Sequence, residues 1–326
     1  MIRSFTSNST GRLILSTIHR SFGCSVVPVS LISQLRKDTG ASIQRCKEAL
    51  EKSNSCVNTA IEFLRKRGEN INCTKSGASC AASRISGCLS SSGEKAVIIK
   101  TVSQTDFASE SEVFVKFSET VSRTLLQMNT LSLDCLELIG SFSPQIHTKR
   151  LSDVISEMSC ILTEPVSIPV VEAVEGDLVS MYIHNKSPYS INVGSVISAV
   201  SFNLPKDLSD EQRAHLSNLG NRIARQIVAI NPMYVDSSSI PPEVVEREKE
   251  LIRSRIKKSD MLEKAFKGHM AKFSSEYCLL DTEWIIPPVN GLETEGTTVG
   301  KVIELECREI GLGPRSVSIN RFVVVK

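Results

Sequence analysis

Residues 96–128 read AVIIKTVSQTDFASESEVFVKFSETVSRTLLQM. The opening AVIIKTV is rich in β-branched residues and predicts a strand. Farther on, Val113, Phe117, Val121, Leu125 and Met128 recur every three or four residues, the period of an amphipathic helix. Ser109, followed three residues later by Glu112, has the spacing of a capping box and predicts the helix start. Between strand and helix lies the polar turn Gln104-Thr105-Asp106, which runs directly into Phe107. Aromatic residues make up only 5% of the chain, so an aromatic at the mouth of a polar turn asks for a reason. Local sequence leaves two readings open. Phe107 folds back onto the first helical turn as a hydrophobic staple does, or it points outward to meet a partner. Asp106 suits a turn in either case.

A change of period from two to about 3.6 recurs through the C-terminal part. Strands are predicted over 168–174, 178–184 and 193–202, with Glu175-Gly176-Asp177 as a hairpin turn, and over 321–325. Helices are predicted over 151–162, 209–230 and 242–273, the last broken near Lys258. The irregular alternation of strands and helices points to an α+β fold rather than a doubly wound parallel sheet.

Residues 28–68 carry a different pattern. Leu31, Ile32 and Leu35 mark a first helix that Thr39-Gly40 stops. Ser42 opens a second, with Ile43, Cys46 and Leu50 on its apolar face. Val57, Ala60, Ile61 and Leu64 mark a third, closed by Gly68. Three short helices make a small bundle. Residues 69–94 are rich in Ser, Gly, Ala and Cys and read as a flexible linker, with a weak helix signal over 78–84.

The chain has 326 residues, 41% hydrophobic and 23% charged, enough for two modest domains beside a tail. Its formal charge of +2 does not call for a polyanionic partner. The segment before Asp38 holds Arg3, Arg12, Arg20, Arg36 and Lys37 and no acid, among many Ser and Thr, which is the composition of a mitochondrial transit peptide. The ten cysteines lack C-x2-C pairs, so they predict neither a zinc site nor a disulfide framework, and Cys46 and Cys56 read as small buried apolar residues. No phosphate-binding loop, no G-x-S-x-G elbow and no H-E-x-x-H is present, and the five histidines have no ligand spacing, which lowers the case for an enzyme. In the charged stretch 243–273, Glu and Lys interleave too evenly for a nucleic-acid face.

Several stretches carry a family resemblance. LISQLRKDTGASIQRCKEALEKSNSCVNTAIEFLRKRG resembles the ubiquitin-associated-like module that opens elongation factor Ts, through Leu35, Arg36, Thr39, Gly40, Ala41, Cys46, Lys47, Ala49 and Leu50. SQTDFAS is similar to the family's Thr-Asp-Phe signature. VEAVEGDLVSMYIH looks like its hairpin ending in Tyr-x-His, and RQIVAINPMYV and KGHMAKFSSEY are similar to two further helical segments. The resemblance implies a leader over 1–28, a three-helix module over 29–68, a linker over 69–94, and an α+β core of two similar subdomains over 95–176 and 177–326. Departures fall at 75–90, where a Lys-rich helix is expected, at 162–165, where Leu-Thr-Glu-Pro replaces Ile-Gly-Glu-Asn, and at 185–188, where Asn185 replaces a Gly.

The family's activity is nucleotide exchange on elongation factor Tu, with no bond chemistry and no cofactor or metal. The resemblance therefore implies a wedge at Thr105, Asp106 and Phe107, module contacts at Arg36, Thr39, Gly40 and Lys47, and core contacts at Tyr182 and His184. With the leader, it implies a mitochondrial matrix protein whose partner is mitochondrial elongation factor Tu, with no direct nucleic-acid or membrane role. A three-helix module of this kind also suits an interaction adaptor without exchange activity.

Overall fold

The computed structural model describes residues 27–75, 82–128, 137–138, 149–255, 259–287 and 296–326. The proposed leader lies outside the described residues but for its last two positions. Helices α1 (Val29–Thr39), α2 (Ile43–Lys52) and α3 (Val57–Lys75) form the N-terminal bundle around Leu35, Cys46, Ala49, Leu50, Ala60 and Leu64. Gly40 ends α1 in the left-handed conformation (φ 69°), and its N–H donates to Arg36 O at 2.8 Å. Only glycine takes that conformation without a Cβ penalty.

Strands β1 (Ala82–Leu89) and β2 (Lys95–Ser103) follow, then a short helix α4 (Asp106–Glu110) and α5 (Glu112–Gln127). A two-residue ribbon pairs β3 (Glu137–Leu138) with β4 (Lys149–Arg150) ahead of α6 (Leu151–Leu162). Next come β5 (Ser167–Glu175), β6 (Leu178–His184), β7 (Val193–Gly194) and β8 (Val196–Asn203). The chain ends with α7 (Asp210–Ile230), α8 (Pro242–Arg255), α9 (Ser259–Tyr277), α10 (Val299–Glu309) and β9 (Ser318–Val325). The fold is α+β.

The strands build an antiparallel four-stranded sheet in the order β5-β2-β1-β7 and an antiparallel three-stranded sheet in the order β6-β8-β9. The two sheets pack face to face through Ile85, Ile98 and Val174 on one side and Val179, Ile197 and Val325 on the other. Helices α5 and α6 cover the outer face of the first sheet, over Val97 and Ile99. Helices α7 and α10 cover the outer face of the second, over Val200 and Phe202. Strand β2 thus alternates between two apolar layers, which is why AVIIKTV reads as a continuous apolar run.

Several expectations from sequence are corrected. The range 69–94 is not all linker: α3 continues to Lys75 and β1 occupies Ala82–Leu89, so Arg84 belongs to a strand and not to a helix over 78–84. The small residues there are packing residues. Ser86 Oγ lies 2.7 Å and Cys88 Sγ 3.2 Å from Ser122 Oγ on α5, and a Cβ at Gly87 would stand 2.6 Å from Met181 Sδ on the opposing sheet. Ser109 is not the cap of the long helix. It is buried inside α4, and Ser111 caps α5 by accepting from Phe114 N–H. Glu175-Gly176-Asp177 is not a hairpin turn, because β5 and β6 belong to different sheets. Gly176 makes that crossing where a Cβ would come 2.9 Å from Ser201 Cβ of β8. Cys46 is buried as expected, with burial pushing its thiol pKa up, but Cys56 is exposed and accepts a hydrogen bond from Thr59 Oγ1 that pushes its pKa down.

Gly68 does not close α3. It lies mid-helix, buried where α3 crosses α6, and a Cβ there would stand 1.8 Å from the Ser156 carbonyl oxygen. Around it, Arg65 pairs with Asp153 at 2.8 Å, the Arg45 guanidinium donates to Cys160 O, and Cys160 joins the core of the bundle. Gly68→Ala is expected to cost about 1–3 kcal/mol through forced separation of two backbones. Denaturant unfolding measures this, and an unchanged midpoint would show that α3 does not seat on α6 as described.

Candidate functional site

The turn after β2 is held by side-chain bonds on both sides of Phe107. Ser103 Oγ donates to Thr105 O at 3.1 Å. Thr105 is the N-cap of α4, its hydroxyl accepting from Ala108 N–H at 3.3 Å. The same hydroxyl donates to Glu164 Oε1 at 2.7 Å, while Thr105 N–H donates to Glu164 Oε2 at 2.9 Å. Asp106 opens α4, where a negative charge suits the helix N-terminus, and Ser109 Oγ donates to its carbonyl at 3.0 Å. Ala108 and Ser109 are buried beneath. Phe107 itself is 94% exposed, the highest value among the large apolar side chains of the described residues. It does not fold back as a staple. Exposing that much apolar surface on an ordered turn costs the free chain the burial an inward Phe would have.

Phe107 forms one wall of an open groove of about 480 Å³, a size within the range of binding clefts. Arg84, ion-paired with Glu110 at 2.5 Å, flanks it on the same side. The loop 185–189 forms the opposite wall, with Lys186 and Tyr189 exposed. That loop begins where β6 ends, at His184. Asn185 takes φ 49°, a conformation that Asn tolerates better than any other side chain. The replacement of a Gly there therefore keeps the backbone. At the other departure, Thr163 takes φ 65° at the C-terminus of α6 and the acid that follows it, Glu164, is the one that grips Thr105.

Tyr182 and His184 lie on β6, with Tyr182 Oη 3.4 Å from His184 Nδ1. The exposed Arg225 guanidinium of α7 sits 5.2 Å from the Tyr182 ring centre, and His184 is exposed at the strand end. In the N-terminal bundle, Arg36 and Lys47 are exposed. Thr39 Oγ1 donates to Leu35 O at 2.6 Å, and a Cβ at Gly40 would stand 3.3 Å from Ile161 Cδ1 of α6. Thr39 and Gly40 thus shape the turn and its seat on the core. The structure brings Phe107 to one groove with the loop that follows His184, and it places the bundle on α6, the helix just before Glu164.

Sequence reasoning passed over Glu164, Arg84 and Tyr189. Glu164 sits 59 positions from Thr105, so only its retention in an otherwise altered segment could have marked it. Arg84 was hidden in an assumed linker.

Among the described residues, one trio, His215, Glu306 and Glu309, is close enough to hold a cation. Glu306 is buried, and both its oxygens are already bonded at 2.6 Å, one to His215 Nε2 and one to Arg222. It is an internal tie between α7 and α10, and satisfied bonding is what a buried carboxylate requires.

The family profile described as Elongation factor TS matches residues 104–311, from the turn before Phe107 to the end of α10 and beyond. The chain is 28% identical over 278 residues to elongation factor Ts of Halothermothrix orenii, covering 84% of this chain and 86% of that one. It is 27% identical over 304 residues to elongation factor Ts of Syntrophotalea carbinolica, with 91% of each covered, and 28% identical over 273 residues to that of Rhizobium meliloti, covering 82% and 85%. A profile match over more than half of the sequence, which begins at the exposed turn, shows that the chain belongs to the elongation factor Ts family.

Proposed function

We propose that this chain promotes GDP release from mitochondrial elongation factor Tu by inserting Phe107 beside the Mg2+ side of the GTPase site. Membership of the family makes it a guanine nucleotide exchange factor for elongation factor Tu, with no bond chemistry of its own. A GTPase holds GDP through phosphate contacts and Mg2+. An exchange factor must therefore bind the nucleotide-free form better than the bound form, and nucleotide weakens factor binding by the same ratio. The observation that carries the wedge reading is Phe107, 94% exposed on a turn whose backbone is bonded on both sides. A stiff support matters because a wedge that yields does no work on its partner. His184, Tyr182, Arg36 and Lys47 are assigned to accessory contacts, and Thr39 and Gly40 to presenting the bundle.

Burying one Phe is worth roughly 1.5–3 kcal/mol, one to two decades in an equilibrium constant. Phe107→Ala is accordingly expected to slow release of a fluorescent GDP analogue about ten- to a hundredfold, with an unchanged melting temperature because the side chain packs on nothing internal. Release as fast as wild type would sink the wedge.

The mitochondrial assignment rests on the N-terminal segment, with its arginines, its Ser and Thr and its lack of acid before Asp38. Fused to a fluorescent protein, residues 1–37 are expected to direct it to mitochondria. A fusion that stays in the cytosol would overturn that part of the reading and leave the exchange activity untouched.

A further inference from the structure

We infer that Glu164 is a positioning residue for exchange, a latch that fixes the direction in which Phe107 is presented. The inference rests on the wedge reading above. The carboxylate grips Thr105 twice, Oε2 taking the backbone N–H at 2.9 Å and Oε1 taking the hydroxyl at 2.7 Å. A two-point grip fixes orientation as well as position, because rotation about either bond alone is blocked by the other. Both donors belong to the N-cap of α4, two residues before Phe107. The hydroxyl donates to Glu164 and accepts from Ala108 N–H, so the rotamer that caps the helix is the one the carboxylate holds.

The place of Glu164 in the chain gives the latch a firm base. It stands at the end of α6, past Thr163 in the left-handed conformation and directly before buried Pro165 and Val166. Ser159 Oγ accepts from Val166 N–H at 3.2 Å, closing the helix end on the far side of Glu164. Helix α6 is packed against the first sheet through Val154 and Met158. A carboxylate so anchored moves with the core, and it transfers the rigidity of the core to an exposed turn. The contact lies at the surface, so its weight in overall stability is small. Its effect falls on the fraction of molecules that hold Phe107 ready, and a ligand's apparent affinity scales with that fraction.

The test is a double-mutant cycle read by GDP release from mitochondrial elongation factor Tu. Glu164→Gln keeps the shape but removes the charge, so neither bond to Thr105 is charge-assisted any longer. We expect release to slow about tenfold, the weight of that lost charge assistance, with the melting temperature unchanged. In the Phe107→Ala background, Glu164→Gln is expected to have no further effect, because the latch acts only through that side chain. Equal loss in both backgrounds, or a matching fall in melting temperature, would overturn the latch in favour of a general structural role. Wild-type release from Glu164→Gln beside slow release from Phe107→Ala would overturn the latch and leave the wedge. Wild-type release from Phe107→Ala would remove both.

Discussion

The burial of β2 on both faces sets the position of everything around the exposed turn. Val97 and Ile99 face α5 and α6, and Ala96 and Ile98 face the second sheet. A slip of one residue would exchange the two sets. The larger outward pair and the smaller inward pair would each meet the wrong layer, so the register is strongly specified. β1 pairs along β2 from Ala96 to Ser103, and β5 pairs from Lys95 to Val102 with one register shift between Lys100 and Val102, so the strand is held on both edges almost to its end at Ser103. Phe107 stands four residues beyond that fixed end. The exposed aromatic is therefore held at a defined place by residues buried in the core.

Helix α6 is the second fixed body. One stretch of it, from Asp153 to Ile161, receives the N-terminal bundle through Arg65, Gly68, Arg45 and Gly40. Its end delivers Glu164 to Thr105. Bundle and turn, far apart in sequence, are thereby referred to one element. That economy constrains the residues at the contacts: Gly68 admits no side chain, and Thr163 accepts a left-handed conformation that costs a β-branched residue about 1–3 kcal/mol. The conformation brings Glu164 back toward the turn, where it makes two bonds.

Much of this was legible in the residues. The bounds of α6 and β6 follow from periodicity, and Thr39-Gly40 announces its own turn. The turn before Phe107 was visible as a place, although its two caps, Thr105 and Ser111, were not separated from Ser109. What stayed hidden shares a cause. β1 is built of Ser, Gly and Cys because a sheet and a helix press on it closely, and small residues read locally as a linker. Helix α10, with Val299, Val302, Ile303 and Cys307 buried and Thr298 as cap, went unread because its apolar face is short. Gly68 and Gly176 looked like punctuation, and both mark close approaches of elements distant in sequence. Glu164 is a partner at long range, which no local pattern encodes.

The departures from the family's pattern now divide into two kinds. At Thr163 and Asn185, where the resemblance places glycines, the residues present take the positive φ that glycine favours. At Lys186 the change is chemical: an ammonium lines the groove that Phe107 also lines. Such a division follows from the physics of an exchange factor. On the proposed wedge reading, Phe107 must arrive at one angle to weaken nucleotide binding, which fixes the frame, whereas affinity for the partner can be adjusted by side chains around it without moving that angle.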